Sequence, residues 1–335
     1  MDSPPRVSIL LPCRNAENTL EASLNSLTAQ TFTDFEVIAV DDGSTDATGP
    51  LLDTWADRDP RIHVTHGDHE GIVGALQKAT TRASGEFMAR MDADDVAHPE
   101  RLAKQVAYLD RHSEIVGCGT QVRYFPTETV KDGARRYEGW INSLVTPEDI
   151  ERDLFVECPI PHPTLMMRRG VFEDVGGYRD VEWPEDYDLV LRLWAVGHRF
   201  GKVAEVLLDW REAPERASRT DPRYSEAAFR HCKIEFIGKR IDGRCVVVNG
   251  AGPVGKSFAR ALIEAGHVLA AFVEVDPRKI GQQIHGVPVV RTDELGSYSE
   301  CYVLAAVGSD RARADIRADL DARGFKEIHD YCAVA

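Results

Sequence analysis

Arg90-Met91-Asp92-Ala93-Asp94-Asp95 is the stretch on which the reading of the fold turns. It follows Glu86-Phe87-Met88-Ala89, a short apolar run that reads as a strand. It precedes Val96-Ala97-His98-Pro99 and a helical pattern over residues 100–111. Three carboxylates therefore sit where a strand ends and a turn begins. Asp92 and Asp94 are two apart, so an extended backbone points them to one side. Converging carboxylates repel unless something positive lies between them. A hard divalent cation such as Mg²⁺ takes one or two carboxylates together with phosphate oxygens. An isolated Asp-x-Asp is more often a solvated turn; the neighbouring chain decides between the two.

Upstream, Val7-Ser-Ile-Leu-Leu11 is a buried-type strand, ended by Pro12. Residues 17–30 carry Leu20, Leu24 and Leu27 at helical spacing, with Asn18 or Thr19 as cap. Phe35-Glu-Val-Ile-Ala-Val40 is a second strand running into Asp41-Asp42-Gly43-Ser44. A helix over 47–56, a strand over 61–65 and a helix over 71–83 follow. Strand–helix alternation of this kind is the signature of a mostly parallel sheet with helices on both faces. Such sheets bind ligands at the carboxyl ends of their strands. Residues 12–17, Asp41-Asp42 and residues 92–94 all fall on that rim.

The chain has 335 residues, enough for about two domains, and 43% hydrophobic content is consistent with packed cores. A net charge of -15 argues against a nucleic-acid binder and against adhesion to anionic membrane by charge. Seven scattered cysteines without a C-x-x-C pair suggest reduced thiols rather than a disulfide framework or a zinc site. No apolar run approaches the ~20 residues needed to span a bilayer. The start, Met1-Asp2-Ser3-Pro4-Pro5-Arg6, has no apolar signal region. The expectation is a cytoplasmic protein that meets any lipid acceptor at the inner face of the membrane.

In order and spacing, Val7-Ser-Ile-Leu-Leu-Pro12, Asp41-Asp42-Gly43-Ser44 and Met91-Asp92-Ala93-Asp94-Asp95 resemble a family 2 inverting glycosyltransferase. Pro161-His162-Pro163-Thr164, Gly176-Gly177-Tyr178 and Trp183-Pro184-Glu185-Asp186-Tyr187-Asp188 resemble the acceptor-side half of that family. The resemblance covers roughly residues 6–218. It implies an α/β nucleotide-diphosphosugar transferase (GT-A) fold, here in a domain over 1–240. It also implies inverting transfer of a sugar from a nucleotide-diphosphosugar, UDP-sugar first, to a glycan or lipid-linked acceptor, assisted by Mn²⁺ or Mg²⁺. The donor-binding set it implies is Pro12, Arg14, Asn15, Glu17, Asp41, Asp42, Asp92 and Ala93. Asp42 with Asp41 would hold the base or ribose, and the Arg14 guanidinium would stack where an aromatic is usual. Asp94 would bind the metal, and Asp92 the metal or the ribose.

Asp186 is the general base that the resemblance implies, with His162, Trp183, Glu185 and Arg211 on the acceptor side. An acceptor hydroxyl is a poor nucleophile until a carboxylate in hydrogen-bond reach takes its proton. Leu189, Val190, Leu193 and Trp194 form the apolar face of a helix that starts near Pro184. A helix N-terminus favours the ionised carboxylate. Taken alone, Glu185, Asp186 and Asp188 read as helix-start acids, His162 as a turn histidine and Trp183 as a core residue. Two departures from the family pattern stand out. Trp210-Arg211-Glu212-Ala213 lacks a histidine that can help bind metal or diphosphate, and Gln77 replaces a more usual asparagine.

A second domain is expected over 243–335, after a boundary at Ile241-Asp242-Gly243. Cys245-Val-Val-Val248 is a strand, followed by Gly250-Ala-Gly252-Pro-Val-Gly255 and a helix, with Glu274 at the end of the next strand. That is a dinucleotide-type fingerprint in its proper context. Further strands are expected near 287–290, 302–307 and 327–329. The readings are a small Rossmann-like domain with a second nucleotide site at Gly250, Gly252, Gly255 and Glu274, or a scaffold. Rival functions for the whole chain are a sugar nucleotidyltransferase, a non-catalytic nucleotide-sugar sensor and an NAD-dependent dehydrogenase.

Overall fold

Val7–Cys13 (β1) is seven residues long and buried throughout, so a strand without alternation is covered on both faces. The computed structural model describes residues 4–213 and 216–335. Met1, Asp2 and Ser3 of the expected N-terminal reading, and Pro214 and Glu215, lie outside the described residues. β1 continues through Pro12. Its pairing toward the strand Phe87–Arg90 ends at Leu10 opposite Arg90, so no ladder donor is required of the proline.

The other strands of the first sheet are β2 (Phe35–Asp42), β3 (Ile62–Gly67), β4 (Phe87–Arg90), β5 (Val96–Ala97), β6 (Ile115–Phe125), β7 (Met166–Arg168) and β8 (Arg199–Arg211). Their order is β3-β2-β1-β4-β7-β6-β8-β5. The first four in that order are parallel, β7 runs antiparallel to both neighbours, and β8 is parallel to β6. The rim expected from the sequence is therefore one edge of one sheet. Helix Leu20–Thr28 buries Leu20, Leu24 and Leu27 against it, and helix Arg101–Arg111 buries Leu102, Val106 and Leu109. Thr19 stands at the N-cap position but makes no side-chain cap bond. Its hydroxyl donates instead to Ala16 O and to Ala93 O, at 3.3 and 3.1 Å, tying the helix start to the acidic turn. Helix Asp132–Ser143 forms where the sequence shows no clear period, because Ile141 is its only buried residue.

The chain divides into two compact units. One holds the residues up to Ile150, Pro159–Val181 and Glu185–Thr220; the other holds Glu151–Cys158, Glu182–Pro184 and Asp221–Ala335. The expected break at residues 241–242 differs from this division. Helix Glu226–Ile241 buries Cys232, Ile234, Phe236 and Ile237 and packs on helix Pro253–Glu264. Buried Lys233 on the same helix donates to Val156 O and Val334 O at 2.7 and 3.1 Å. Those bonds hold both the 151–158 segment and the residue that follows the chain's last strand to the helix.

The second sheet contains β9 (Val246–Asn249), β10 (Leu269–Glu274), β11 (Gln283–Ile284), β12 (Val287–Arg291), β13 (Tyr302–Ala305) and β14 (Tyr331–Ala333). Its order is β11-β12-β10-β9-β13-β14, parallel except for β11. This is a Rossmann-like order, with the switch between β9 and β13. The last strand is Tyr331–Ala333 rather than 327–329; Glu327 makes only an isolated bridge, and Ile328 turns the chain with φ 68°. Two cysteines expected as thiols are joined: Cys245 and Cys301 form a disulfide with Cα atoms 4.6 Å apart. They precede β9 and β13, which are neighbours, so the topology places them side by side. Cys13, Cys118, Cys158, Cys232 and Cys332 are buried thiols.

Gly255 is where the glycine turn meets its helix. A Cβ there would stand 1.8 Å from Gly250 O. Gly255→Ala is expected to lower stability by about 1–3 kcal/mol through overpacking. Urea unfolding measures this, and an unshifted midpoint would contradict the close approach.

Candidate active site

The turn after β4 gathers three acids. Oxygens of Asp92, Asp94 and Asp95 lie within 4.8 Å of one another. Asp95 is buried; one oxygen accepts from the Arg211 amide at 2.7 Å, and the other, Oδ2, has no partner. Burial, then the charges of Asp92 and Asp94, push the Asp95 carboxyl well above its ordinary range. Burial, then Asp92, push Asp94 up to about 6, against the pull of Arg216 and Arg211. Crowded carboxylates with an orphaned buried oxygen fit a hard divalent cation.

Arginines hold this turn. Arg90 donates to Asp92 Oδ1 at 2.5 Å. Fully buried Arg101 donates to Arg90 O at 2.6 Å and to Gln105 Oε1 at 3.1 Å. Arg211, expected on the acceptor side, donates from Nε to Asp94 O at 2.7 Å and lies over the Phe125 ring. Arg216 rests on Trp210, 4.5 Å from the ring centroid, and its charge reaches Asp94 and Asp95. Ala213 brings no ligand; Arg211 and Arg216 add cationic charge near the turn to that of Arg90.

At the end of β2, both acids are engaged by the protein. Asp42 accepts from the amides of Glu70 and Gly71 at 2.8 and 3.0 Å and from His69 Nδ1 at 2.7 Å. It thereby caps helix Gly71–Arg82 from another strand. Arg14 Nη1 contacts His69 Nε2 at 2.5 Å. A guanidinium only donates, so Nε2 accepts and Nδ1–H faces Asp42. Arg14 is thus held edge-on by His69. Gly43 has φ 68°, and a Cβ there would stand 2.7 Å from His69 N, so only glycine suits this turn. Asn15 Oδ1 accepts from Thr45 N at 2.9 Å, and Glu17 Oε2 from Ala47 N at 3.0 Å. These two residues lock the loops after β1 and β2 together.

Asp41 Oδ1 accepts from Ser44 N at 3.1 Å, and Oδ2 meets His66 Nδ1 at 3.1 Å. His66 Nε2 meets Asp53 at 2.9 Å. Asp53, then Asp41, raise the imidazole's pKa. Its favourable contribution to stability is therefore fully present below the unfolded-state pKa and is lost as pH rises through the folded one. Proton NMR should show His66 titrating above the ordinary ~6.5, and Asp53→Asn should bring it back down. An unshifted midpoint would contradict the bridge.

The acceptor-side acids separate by environment. Asp188 is fully buried between Arg179 at 2.5 Å and Arg192 at 2.6 Å. Glu185 is buried, with Oε1 3.7 Å from His162 Nδ1. Asp186 is half-buried, and its Oδ1 accepts from the Tyr187 amide at 2.7 Å. His162 Nε2 meets the Tyr178 hydroxyl at 2.8 Å. Burial, then Arg90, hold the imidazole well below its usual pKa, so it is neutral. The Tyr178 phenol is pushed up by burial; Arg90 opposes, and Glu185, Asp186 and Asp92 add to the rise. One hydroxyl thus lies within electrostatic reach of acids from both halves of the expected site. Gln77 Nε2 donates to Tyr178 O at 2.9 Å, giving that residue a role in placing the tyrosine. Trp183 is half-buried and falls in the Glu182–Pro184 segment of the second unit.

His69, Arg90 and Tyr178 were given no role from the sequence. Arg90 carried a signal: a charge at the end of a buried strand must be paired. In the second unit, Glu274 Oε2 accepts from Ala251 N at 3.2 Å and Lys279 at 2.8 Å, and Oε1 from Val275 and Asp276 amides. Both of its oxygens are thus used by the protein. A Cβ at Gly252 would meet open space, and one at Gly250 would meet Ala306 O at 2.8 Å. Among the described residues, no helix is long and apolar enough to cross a membrane.

The fold is of the GT-A type. The solved structures similar to this chain have the same fold. Staphylococcus aureus TarS 1-349 in complex with UDP-GlcNAc matches at TM-score 0.55 and 19% identity, over 71% of this chain and 73% of that one. The mannosyltransferase PcManGT from Pyrobaculum calidifontis, in complex with GDP-Man and Mn2+, matches at TM-score 0.50 and 22% identity, over 78% and 70%. Residues 8–176 match Glycosyl transferase family 2, and the chain belongs to that family. Putative glycosyltransferase EpsE of Bacillus subtilis is 32% identical over 231 residues, 67% of this chain and 80% of that protein. Amylovoran biosynthesis glycosyltransferase AmsE of Erwinia amylovora is 29% identical over 215 residues, 63% and 78%. The chain is a glycosyltransferase.

Proposed function

We propose that the rim of β1, β2 and β4 holds the donor and that Asp186 is the general base for an acceptor hydroxyl. The observation that supports this most is geometric: the Tyr178 hydroxyl meets His162 at 2.8 Å, His162 faces Glu185 next to Asp186, and Arg90, which lines one cavity with Tyr178, bonds Asp92. Asp186 is the half-buried acid of its helix turn, while Asp188 is locked in ion pairs and Glu185 faces His162. Asp94 and Asp92 would hold Mn²⁺ or Mg²⁺, which when bound supplies Lewis-acid stabilisation to the diphosphate. Arg14, held by His69 and through it by Asp42, presents its remaining N–H donors to the nucleotide base, and Asp41 fixes the loop after β2 through Ser44 and His66. Arg211 and Arg216 add positive charge beside the leaving diphosphate. Asp186 takes the acceptor proton as the hydroxyl attacks the anomeric carbon from the face opposite the leaving group. Glu185 and His162 serve acceptor binding.

The donor to test first is a UDP-sugar, then a GDP-sugar, since similar structures are complexes with UDP-GlcNAc and GDP-Man. The acceptor class is a glycan or lipid-linked glycan, in line with the relative named for amylovoran biosynthesis. The site of action is cytoplasmic, at the inner face of the membrane when the acceptor is a lipid. The second unit is read as a scaffold, because Glu274 spends its carboxylate on the turn and Lys279. Nucleoside diphosphate release should be measured across a panel of nucleotide sugars with Mn²⁺, with and without acceptor glycans. Acceptor-stimulated release supports transfer; saturable donor binding without release under any condition would favour a sensor.

A further inference from the structure

Arg90 ends a central strand, yet its side chain is buried, with 3% exposure. Core packing does not call for a guanidinium there, and this one is not fully satisfied. Its Nε is buried without a partner. Its Nη1 bonds Met91 O and its Nη2 bonds Asp92 Oδ1 at 2.5 Å. The backbone beneath is fixed: Arg90 N donates to Leu165 O at 2.8 Å, and Arg101 grips Arg90 O at 2.6 Å. Phe172, Leu165 and Tyr178 line a small cavity with it. The partners are unequal, because the Asp92 side chain keeps 33% exposure. A rigid buried cation therefore holds one oxygen of a carboxylate that is presented to solvent. Native structures tolerate an unpaired buried donor when the group is needed for something else.

We propose that Arg90 is a positioning residue, which holds Asp92 from behind and aims its second oxygen at the donor. The proposal rests on the reading of Asp92 as a donor-side acid. A lysine in its place would keep the charge but lose the planar fork that holds Met91 O and Asp92 together. Without Arg90, Asp92 would be free to rotate beside Asp94 and Asp95, and their repulsion would favour a displaced carboxylate. The acceptor-side cluster would also lose a positive neighbour, since the same guanidinium acts on Tyr178 and Glu185.

A double-mutant cycle tests this by calorimetry with Mn²⁺ and either UDP or GDP, whichever the wild type binds. Arg90→Met and Asp92→Asn are each expected to weaken binding by about tenfold, the scale of one charge-assisted hydrogen bond. The double variant should be no weaker than Asp92→Asn alone, because one acts through the other. Arg90→Lys should fall between wild type and Arg90→Met. Should Arg90→Met not fold, Arg90→Lys takes its place in the cycle. Additive losses, or a folded Arg90→Met that binds like the wild type, would overturn the proposal while leaving the donor site in place. A wild type that binds neither nucleotide with Mn²⁺ would remove the donor reading, and the proposal with it.

Discussion

Asp186→Asn is expected to reduce sugar transfer by about 10²–10⁴-fold, the usual share of a general base, while leaving nucleotide-sugar affinity unchanged. The substitution keeps the size of the side chain and removes its basicity. Helix Glu185–Ala195 should survive it, because Leu189, Val190, Leu193 and Trp194 anchor its buried face and Asp188 stays paired with Arg179 and Arg192. The donor contacts proposed above belong to other elements, at the ends of β1, β2 and β4. Glu185→Gln should be milder, because Glu185 is buried beside His162 and a glutamine preserves the shape there. Transfer and donor affinity measured on both variants decide the matter. Near-normal transfer by Asp186→Asn would remove it as the base. Loss of donor affinity in step with transfer would make its role structural.

Asp94→Ala is expected to abolish the metal-dependent part of nucleoside diphosphate binding while the protein stays folded. Asp94 is pushed up to about 6 by burial and by Asp92, so the metal-free turn carries repulsion that a divalent cation relieves. Removing Asp94 lessens that repulsion, so the fold should not suffer. Its backbone oxygen, which Arg211 grips, remains in the alanine variant. Calorimetry with and without Mn²⁺ reads the effect. Donor affinity that depends on metal equally in both proteins would place the cation elsewhere.

The rim was legible in the sequence for a physical reason. β1, β2 and β4 are continuous apolar runs, each ended by a polar cluster, and in a parallel sheet such ends meet on one edge. Asp42, Asp92 and Asp94 could be placed at strand ends that way. Their partners were not, because pairing across the fold leaves no local pattern. His69 meets Asp42 from 27 residues away, and Gln77 meets Tyr178 from 101 residues away. Arg90 stood in plain view, yet what it holds depended on a rotamer. Helix Asp132–Ser143 escaped because its single buried residue, Ile141, sets no period. The Cys245–Cys301 bond, 56 residues apart, follows from β9 and β13 being neighbours, which requires the strand order. The expected boundary fell after helix Glu226–Ile241, whose allegiance to the second unit lay in which face it buried.

The central claim is a single displacement: one carboxylate activates the acceptor, and the donor rim holds the leaving diphosphate on the opposite face. The anomeric configuration of the product tests it most directly. With a nucleotide sugar of known configuration, proton NMR of the newly transferred sugar should show the inverted anomer from the first turnovers. A retained anomer would contradict the account, because one base at Asp186 provides no second displacement.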